Sequence, residues 1–248
     1  MKTRCDISHM FAVGILACGM SIGSSTMVNG CITLIEADKD DVAYNAILLA
    51  RSDSSLGSAF AIRDKGVNWV VSAEHCARGG MFRCRDVNGR KSELLYSAFE
   101  VASNADICRL PLLIKNETLG GPVNFLTLAT REPKVGDKVR FYGNAHGEDT
   151  ICKGEGVIVS IGPERLEVEG DWCNGFSGGP VVAEYGVVGV IAYTTKKEKP
   201  NDFEALESLY LKNRHFAYRL DTAKWTKIDY EAYLRIVRGT PDRPLEKD

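Results

Sequence analysis

The sequence has no marked excess of charge of either sign. Its 248 residues include 31 Lys and Arg and 33 Asp and Glu, so the formal net charge is −2. A protein with this balance has no broad electrostatic attraction to nucleic acid or to an anionic membrane. The eight cysteines and four histidines form no Cys-x-x-Cys pair and no other spacing that is typical of a zinc site. We therefore expect no metal, no cofactor and no nucleic-acid partner.

Long hydrophobic runs are also absent, and no segment beyond the N-terminus is apolar enough for a transmembrane helix. At the N-terminus, Lys2 and Arg4 precede the short apolar stretch Met10–Ala17. This pattern is typical of a secretory signal, and a buried N-terminal helix is the alternative. Cys18 ends a motif that resembles a bacterial lipoprotein signal. We expect a leader over residues 1–30, a secreted or periplasmic protein, and membrane contact only through a lipid on Cys18.

From about residue 44 onward, apolar residues occur in short runs that are separated by Gly, Asp and Asn. Short runs rich in Val, Ile, Phe and Tyr are typical of strands. The runs are Asn45–Arg51, Ser58–Ile62, Asn68–Ala73, Lys138–Tyr142, Val157–Ile161, Arg165–Val168 and Val187–Tyr193. Hairpin turns are expected at residues 86–89 and 184–186. Evenly spaced short strands predict an all-β protein made of barrels or sandwiches rather than βαβ units.

The end of the chain has a different pattern. Between Thr226 and Val237 the apolar residues follow a nearly helical spacing, and Thr226 is a candidate cap for that helix. We expect one C-terminal helix that packs on the β structure, and a linker at residues 119–122 between two β lobes. The expected units are a domain over 31–248 with a first lobe at about 40–118, a second lobe at 123–222 and the helix at 223–238.

Three polar residues lie at the ends of predicted strands. His75 follows the apolar run in VVSAEHCARGG, Asp106 precedes the run in NADICRLPL, and Ser177 lies between glycines in NGFSGGPVV. Taken singly, each has an ordinary structural interpretation: a surface histidine, a turn-forming aspartate and a flexible glycine-rich turn. Taken together, they supply a nucleophile, a base that activates it and an acid that orients the base.

These three motifs and their order resemble the trypsin/chymotrypsin family of serine endopeptidases over residues 45–220. The sequence between the motifs is more similar to that of bacterial periplasmic heat-shock proteases, but no segment resembles the peptide-binding domain that those proteases carry. The resemblance implies two antiparallel six-stranded β-barrels with the active site between them, and a polypeptide substrate. It makes Ser177 the nucleophile, His75 the general base and Asp106 the residue that orients His75. The N–H groups of Gly175 and Ser177 would form the oxyanion hole.

The same resemblance implies the substrate pocket. Asp171, six positions before Ser177, matches the residue at the base of the trypsin specificity pocket, and Ala192, Tyr193 and Thr194 match its wall. A carboxylate at the base would pair with a substrate Arg or Lys. Because the β-branched Thr194 would narrow the entrance, a pocket for small aliphatic side chains, with Asp171 turned outward, is the alternative.

Two residues beside the expected catalytic groups depart from the family pattern. Phe176 stands where the digestive enzymes have an aspartate that pairs with a newly cut N-terminus, so activation by such a cut is not expected here. Glu74 places a charge beside His75 where the family commonly has a small residue. We expect the Glu74 side chain to point to solvent, although it could perturb the base.

The cysteines depart from the family as well. Cys76 and Cys173 match half-cystines of the family, but their usual partners are missing, so Cys84 and Cys152 are the expected replacements. Cys108 lies in an apolar run and is expected to be a buried free thiol.

The sequence therefore predicts a serine endopeptidase that forms an acyl-enzyme on Ser177. The alternative is a catalytically silent binding protein on the same fold, which the presence of all three triad positions argues against. A lipase of the α/β-hydrolase type would need the order Ser, Asp, His, which is not the order found.

Overall fold

The structure of the protein is a computed structural model that describes residues 35–39, 41, 43–113, 124–147, 149–195 and 214–239. The expected leader, Cys18 and the expected linker at residues 119–122 lie outside these residues. None of the helices in these segments is long and apolar enough to cross a membrane.

The described segments contain mostly strands. In chain order they are β1 (Ile35–Glu36), β2 (Ile47–Arg51), β3 (Leu56–Asp64), β4 (Val67–Ala73), α1 (Glu74–Arg78), β5 (Arg83–Arg85), β6 (Phe99–Ala102), β7 (Ile107–Pro111), β8 (Lys138–Asn144), β9 (Ile151–Ile161), β10 (Arg165–Glu169), β11 (Pro180–Ala183), β12 (Gly186–Thr195), β13 (Arg214–Arg219), β14 (Trp225–Ile228) and α2 (Tyr230–Gly239). Every run of apolar residues that predicts a strand lies on one, so the all-β prediction is confirmed.

The second half of the chain forms a closed antiparallel barrel. Its strands pair in the order β8, β9, β10, β13, β12 and β11, and β11 pairs with β8 to close the ring. The short β1 pairs with the N-terminal end of β9, at Cys152 and Lys153. A core inside this barrel includes Phe141 of β8, which points inward as alternate residues of a barrel strand do, and Trp172 and Phe176 from the loop between β10 and β11. The expected six-stranded barrel is therefore present in this half.

The first half forms a curved antiparallel sheet in the order β14, β6, β7, β4, β3, β2 and β5. Six of these strands come from residues 47–111, and β14 reaches this sheet from the far end of the chain. The sheet encloses its own core, which includes Val70, Phe82, Phe99 and Leu110. A further core lies between the two halves.

The C-terminal helix begins later than its sequence pattern predicts, and Thr226 is not its cap. Thr226 lies in β14, where it pairs with Val101 of β6. The β-branched side chains around it suit a strand, and pairing with a sheet edge outweighs a helical spacing. The helix begins at Tyr230, and Asp229 caps it by accepting a hydrogen bond from the Ala232 N–H at 3.0 Å.

Helix α2 packs against the core of the first half through Tyr230, Tyr233 and Leu234, all buried. The Tyr230 hydroxyl oxygen lies 2.8 Å from the Ala77 carbonyl oxygen and accepts a hydrogen bond from the Phe82 N–H at 3.1 Å. The helix therefore holds the loop that follows α1 with polar as well as apolar contacts.

No disulfide joins any two of the five cysteines in the described segments, so the expected bonds Cys76–Cys84 and Cys173–Cys152 are not formed. Cys76, Cys84 and Cys108 are buried thiols in the core of the first half, and the expectation for Cys108 is confirmed. Burial raises the pKa of the Cys84 and Cys108 thiols, because a thiolate there would lose its hydration.

We expect Tyr230→Phe to lower the free energy of unfolding by about 1–3 kcal/mol, because it leaves the buried Phe82 N–H without a partner. Urea denaturation followed by fluorescence measures this change. Tyr44→Phe is the matched control, because Tyr44 is also buried and its hydroxyl bonds to none of the described residues. Equal losses in the two variants would contradict the assigned role of the Tyr230 hydroxyl.

Candidate active site

His75 and Asp106 meet because of the register of two neighbouring strands. Strands β4 and β7 are antiparallel, with Ala73 opposite Ile107. The residues that follow β4 therefore lie beside the residue that precedes β7. His75 lies in the first turn of α1, directly after β4. The strand pairing thus brings together two residues that are 31 positions apart in the chain.

Asp106 holds His75 at two points. One carboxylate oxygen, Oδ2, lies 2.6 Å from the ring Nδ1, and the other, Oδ1, accepts a hydrogen bond from the His75 backbone N–H at 2.9 Å. Burial is the largest single effect on the pKa of His75 and would lower it, but the interactions with Asp106 and Cys76 together outweigh burial and raise the pKa from its ordinary 6.5 to about 10. The contact also fixes which ring nitrogen faces Asp106, so Nε2 remains available on the other side of the ring.

Ser177 lies in a tight loop before β11 that only glycine allows. Gly175 and Gly178 have φ angles of 96° and 87°, in the left-handed region. A Cβ on Gly178 would collide with the Ser58 carbonyl oxygen, and one on Gly175 would collide with the Asn144 carbonyl oxygen. The glycines around Ser177 are therefore required by backbone angle and by close packing.

Two backbone donors of this loop have no partner among the described residues. The N–H groups of Phe176 and Gly178 donate to the carbonyl oxygens of Cys173 and Ile191, at 3.2 and 2.8 Å. The N–H groups of Gly175 and Ser177 make no such bond within the described segments. They are thus free to bind an oxygen atom of a ligand.

Phe176, between those two donors, is fully buried in the barrel of the second half. Its ring lies 6.3 Å from that of Phe141, in an edge-on arrangement. An apolar anchor therefore occupies the place where the digestive enzymes carry an aspartate.

The Ser177 side chain is not bonded to His75 in this structure. Its Oγ donates to the Ala192 carbonyl oxygen at 3.3 Å, and within the described segments no hydrogen bond joins it to the His75 ring. The Ser177 backbone does contact the first half, since its carbonyl oxygen accepts a hydrogen bond from the Ser58 N–H at 2.8 Å. The structure therefore pairs His75 with Asp106, and leaves the Ser177 hydroxyl turned to β12.

Sequence reasoning missed Ser58, which joins the two halves next to the loop that carries Ser177. Its hydroxyl donates to the Gly175 carbonyl oxygen at 2.7 Å and accepts from the Asn144 N–H at 2.8 Å. The Ser72 hydroxyl in turn donates to the Ser58 carbonyl oxygen at 2.7 Å. A serine within the apolar run LGSAFAI was the available signal, because a buried hydroxyl needs partners.

Glu74 does not point to solvent, contrary to the expectation from sequence. Its side chain is only 16% exposed. It accepts hydrogen bonds from the Arg78 guanidinium at 3.0 Å and from the Tyr233 hydroxyl at 2.9 Å. Arg78 is only four residues away, but Tyr233 lies 159 residues further along the chain and was unavailable to sequence reasoning.

Asp171 faces strand β13. Its Oδ1 lies 3.8 Å from Nε2 of His215, which is buried with its ring edge-on to Trp172. Burial raises the pKa of Asp171, while the nearby His215 opposes that rise. Burial also lowers the pKa of His215, so this imidazole is neutral at neutral pH.

The other expected pocket residues lie on β12. Ala192 is buried at an irregularity in the register with β13, and the backbones of Tyr193 and Thr194 pair with Phe216 and His215. The side chains of Tyr193 and Thr194 are outside the described part of the structure. Pairing between β12 and β11 ends at Val190, so the backbone beyond it has a strand partner only on its β13 side in the described segments.

The fold and the site define a two-unit β protein of the chymotrypsin type. Residues 57–190, more than half of the chain, match the model of the trypsin-like peptidase domain. The chain therefore belongs to the trypsin-like peptidase family, which confirms the resemblance indicated by the three sequence motifs. No curated protein matches the sequence.

Several solved structures share the fold. A serine endoprotease from Yersinia pestis is 22% identical, with a TM-score of 0.53 over 79% of this chain and 64% of its own. An inactive form of Rv3671c from M. tuberculosis is 14% identical, with a TM-score of 0.52 over 83% of this chain and 94% of its own. The HtrA-type protease AlgW, solved with a tripeptide, is 18% identical, with a TM-score of 0.53 over 73% of this chain and 58% of its own. The chain thus spans less than two thirds of the Yersinia protein and of AlgW.

We expect Gly178→Ala to destabilise the protein by at least about 2 kcal/mol more than Gly66→Ala. Both glycines have similar positive φ angles, 87° and 80°, but nothing lies within 4 Å of a Cβ at Gly66. The pair therefore separates the cost of crowding from the cost of the backbone angle. Equal midpoints of thermal unfolding would show that the loop has room for a side chain.

Proposed function

We propose that this protein is a serine endopeptidase in which Ser177, His75 and Asp106 act as a catalytic triad. The observation that carries the proposal is the contact of 2.6 Å between the His75 ring and Asp106, in a member of the trypsin-like peptidase family. The loop with Ser177 and two unpartnered N–H donors supports it. The Ser177 hydroxyl would leave the Ala192 carbonyl oxygen and turn to Nε2 of His75 when the substrate binds.

In the first half of the reaction, Ser177 Oγ attacks the carbonyl carbon of the peptide bond while His75 Nε2 takes its proton. Asp106 stabilises the imidazolium that forms and holds its orientation. The negative oxygen of the tetrahedral intermediate is bound by the N–H groups of Gly175 and Ser177. In comparable sites, loss of one such donor costs about 2.7–4 kcal/mol of transition-state stabilisation.

The intermediate then collapses to products. His75 gives its proton to the leaving amine, the C–N bond breaks, and the acyl group remains on Ser177 as an ester. A water molecule next loses its proton to His75 and attacks this ester through a second tetrahedral intermediate. Release of the carboxylic acid returns the proton to Ser177 Oγ and restores the enzyme.

The substrate is a polypeptide in an extended conformation. Beyond Ile191, which bonds to Gly178 and Gly179, the backbone of β12 has no strand partner on the side away from β13 in the described segments. This edge begins at Ala192, which contacts Ser177, and an added strand would pair with it. We propose that Asp171 lies at the base of the specificity pocket and pairs with a substrate Arg or Lys. Its approach to His215, on the strand next to β12, supports an inward orientation.

The proposed location is outside the cytoplasm. This rests on the sequence pattern of residues 1–30, in which a lipid on Cys18 would be the only contact with the membrane. The proposed domain limits also rest on the sequence, with 31–248 as the peptidase unit.

Ser177→Ala is expected to lower peptidase activity on an unfolded protein by about 10⁴-fold or more, without loss of stability, because only the nucleophile is removed. The parent should react with a fluorophosphonate probe and Ser177→Ala should not. Ser160→Ala, which changes an exposed serine on β9, is the control. A parent that neither hydrolyses protein nor binds the probe would favour the catalytically silent binding protein. The observation that favours this alternative is the orientation of the Ser177 hydroxyl, which bonds to the Ala192 carbonyl oxygen and not to His75.

Profiling with a peptide library tests the pocket. We expect cleavage after Arg and Lys, and a loss of about 100-fold in kcat/KM for these substrates in Asp171→Ser, because a buried charge pair is broken. Glu155→Gln, which alters a carboxylate that is 80% exposed, should change nothing. Cleavage after Ala or Val, with none after Arg or Lys, would remove Asp171 from the pocket.

A further inference from the structure

A second pair of charged residues lies beside the His75–Asp106 contact. Glu74 and Arg78 are one helical turn apart on α1, and Arg78 Nη2 lies 3.0 Å from Glu74 Oε2. The same Nη2 lies 3.8 Å from Asp106 Oδ1. Arg78 therefore stands between two carboxylates, one of which holds the His75 ring.

The C-terminal helix keeps this pair in place. The hydroxyl of Tyr233, which is 5% exposed, donates to Glu74 Oε1 at 2.9 Å. Tyr230 binds the end of α1 through the Ala77 carbonyl oxygen. Because Glu74 is held from behind by Tyr233, its other oxygen is turned to Arg78, and the guanidinium is held near Asp106.

The charges around His75 decide whether it can act as a base. Asp106 and Cys76 are the titratable groups that act on His75 itself. Arg78 and Cys108 interact with Asp106, and Glu74 and Tyr233 lie next to these two groups. Burial raises the pKa of both Cys108 and Tyr233, so these two are neutral at neutral pH. Burial opposes the charge of Arg78, but its contacts with the two carboxylates outweigh this and raise its pKa. Arg78 is therefore a permanent positive charge beside two negative ones.

We propose that Arg78 is a positioning residue that shares the negative charge of Asp106 and so weakens the preference of that carboxylate for the imidazolium form of His75. Without Arg78, Asp106 would favour the imidazolium more strongly, and the imidazolium cannot accept the Ser177 proton. This inference rests on the proposed function for its role in catalysis. Its physical content, a change in the protonation of His75, is measurable without activity.

The first test is the pH profile of kcat/KM for Arg78→Gln. His75 acts only when neutral, so a higher pKa of His75 moves the acidic limb of the profile to higher pH. We expect an upward move of about 0.5–1 pH unit, with a loss of about 3- to 10-fold on the acidic limb that disappears at pH values above the limb. The KM should not change, and Arg78→Lys should restore most of the parent profile.

Glu74→Gln tests the opposite sign. It removes a negative charge beside His75 and leaves Arg78 with Asp106 as its nearest anion, so the acidic limb should move to lower pH. Arg90→Gln is the matched control. Arg90 pairs with Asp86 four residues away and has the same exposed fraction as Arg78, 42%, but lies outside the site.

The outcomes are distinguishable. A rate that falls equally at every pH in Arg78→Gln, or a limb that stays in place, would overturn the proposal. NMR titration of the His75 ring, assigned with His75→Gln, gives the same answer in a protein without hydrolytic activity. An upward shift there in Arg78→Gln with no peptidase activity in the parent would support the role of Arg78 while refuting the proposed function.

Discussion

The buried hydroxyl of Ser58 is the contact on which the arrangement of the site depends. It lies on β3 of the first half and bonds to the backbones of Gly175 and Asn144 in the second. Because Ser58 and Asn144 are buried, a small shift of one half against the other would break the bonds without admitting water to replace them. The position of one half against the other is thereby fixed by directional bonds as well as by apolar contact.

The loop that carries Ser177 packs directly against Ser58. Gly178 lies so close to Ser58 and Ser72 that no side chain fits between them. Phe176 fills the interior of the barrel on the other side of the loop. The loop is thus held between an apolar anchor in one half and backbone contacts with the other, and this fixes the position of the two N–H groups that have no partner in the described segments.

Much of this architecture could be predicted from the sequence, because strands and the motifs around His75, Asp106 and Ser177 are encoded by residues close together in the chain. Short apolar runs indicated the long strands, and the order of His75, Asp106 and Ser177 indicated the family. The predictions that were wrong concern residues whose contacts come from distant parts of the chain. Thr226 joined a strand because the edge of β6 was available, and Glu74 turned inward because Tyr233 lies behind it. Neither partner lies within the same stretch of sequence.

The return of β14 and α2 to the first half has a consequence for synthesis on the ribosome. The chain emerges N-terminus first, yet the sheet of the first half lacks its edge strand, and α1 with His75 lacks its support, until residues 225–239 have been made. The first half is therefore finished after the second, although it comes earlier in the chain. A nascent chain that already displays Ser177 would still have an unsupported α1, so the candidate active site is assembled only once residues 225–239 have been translated.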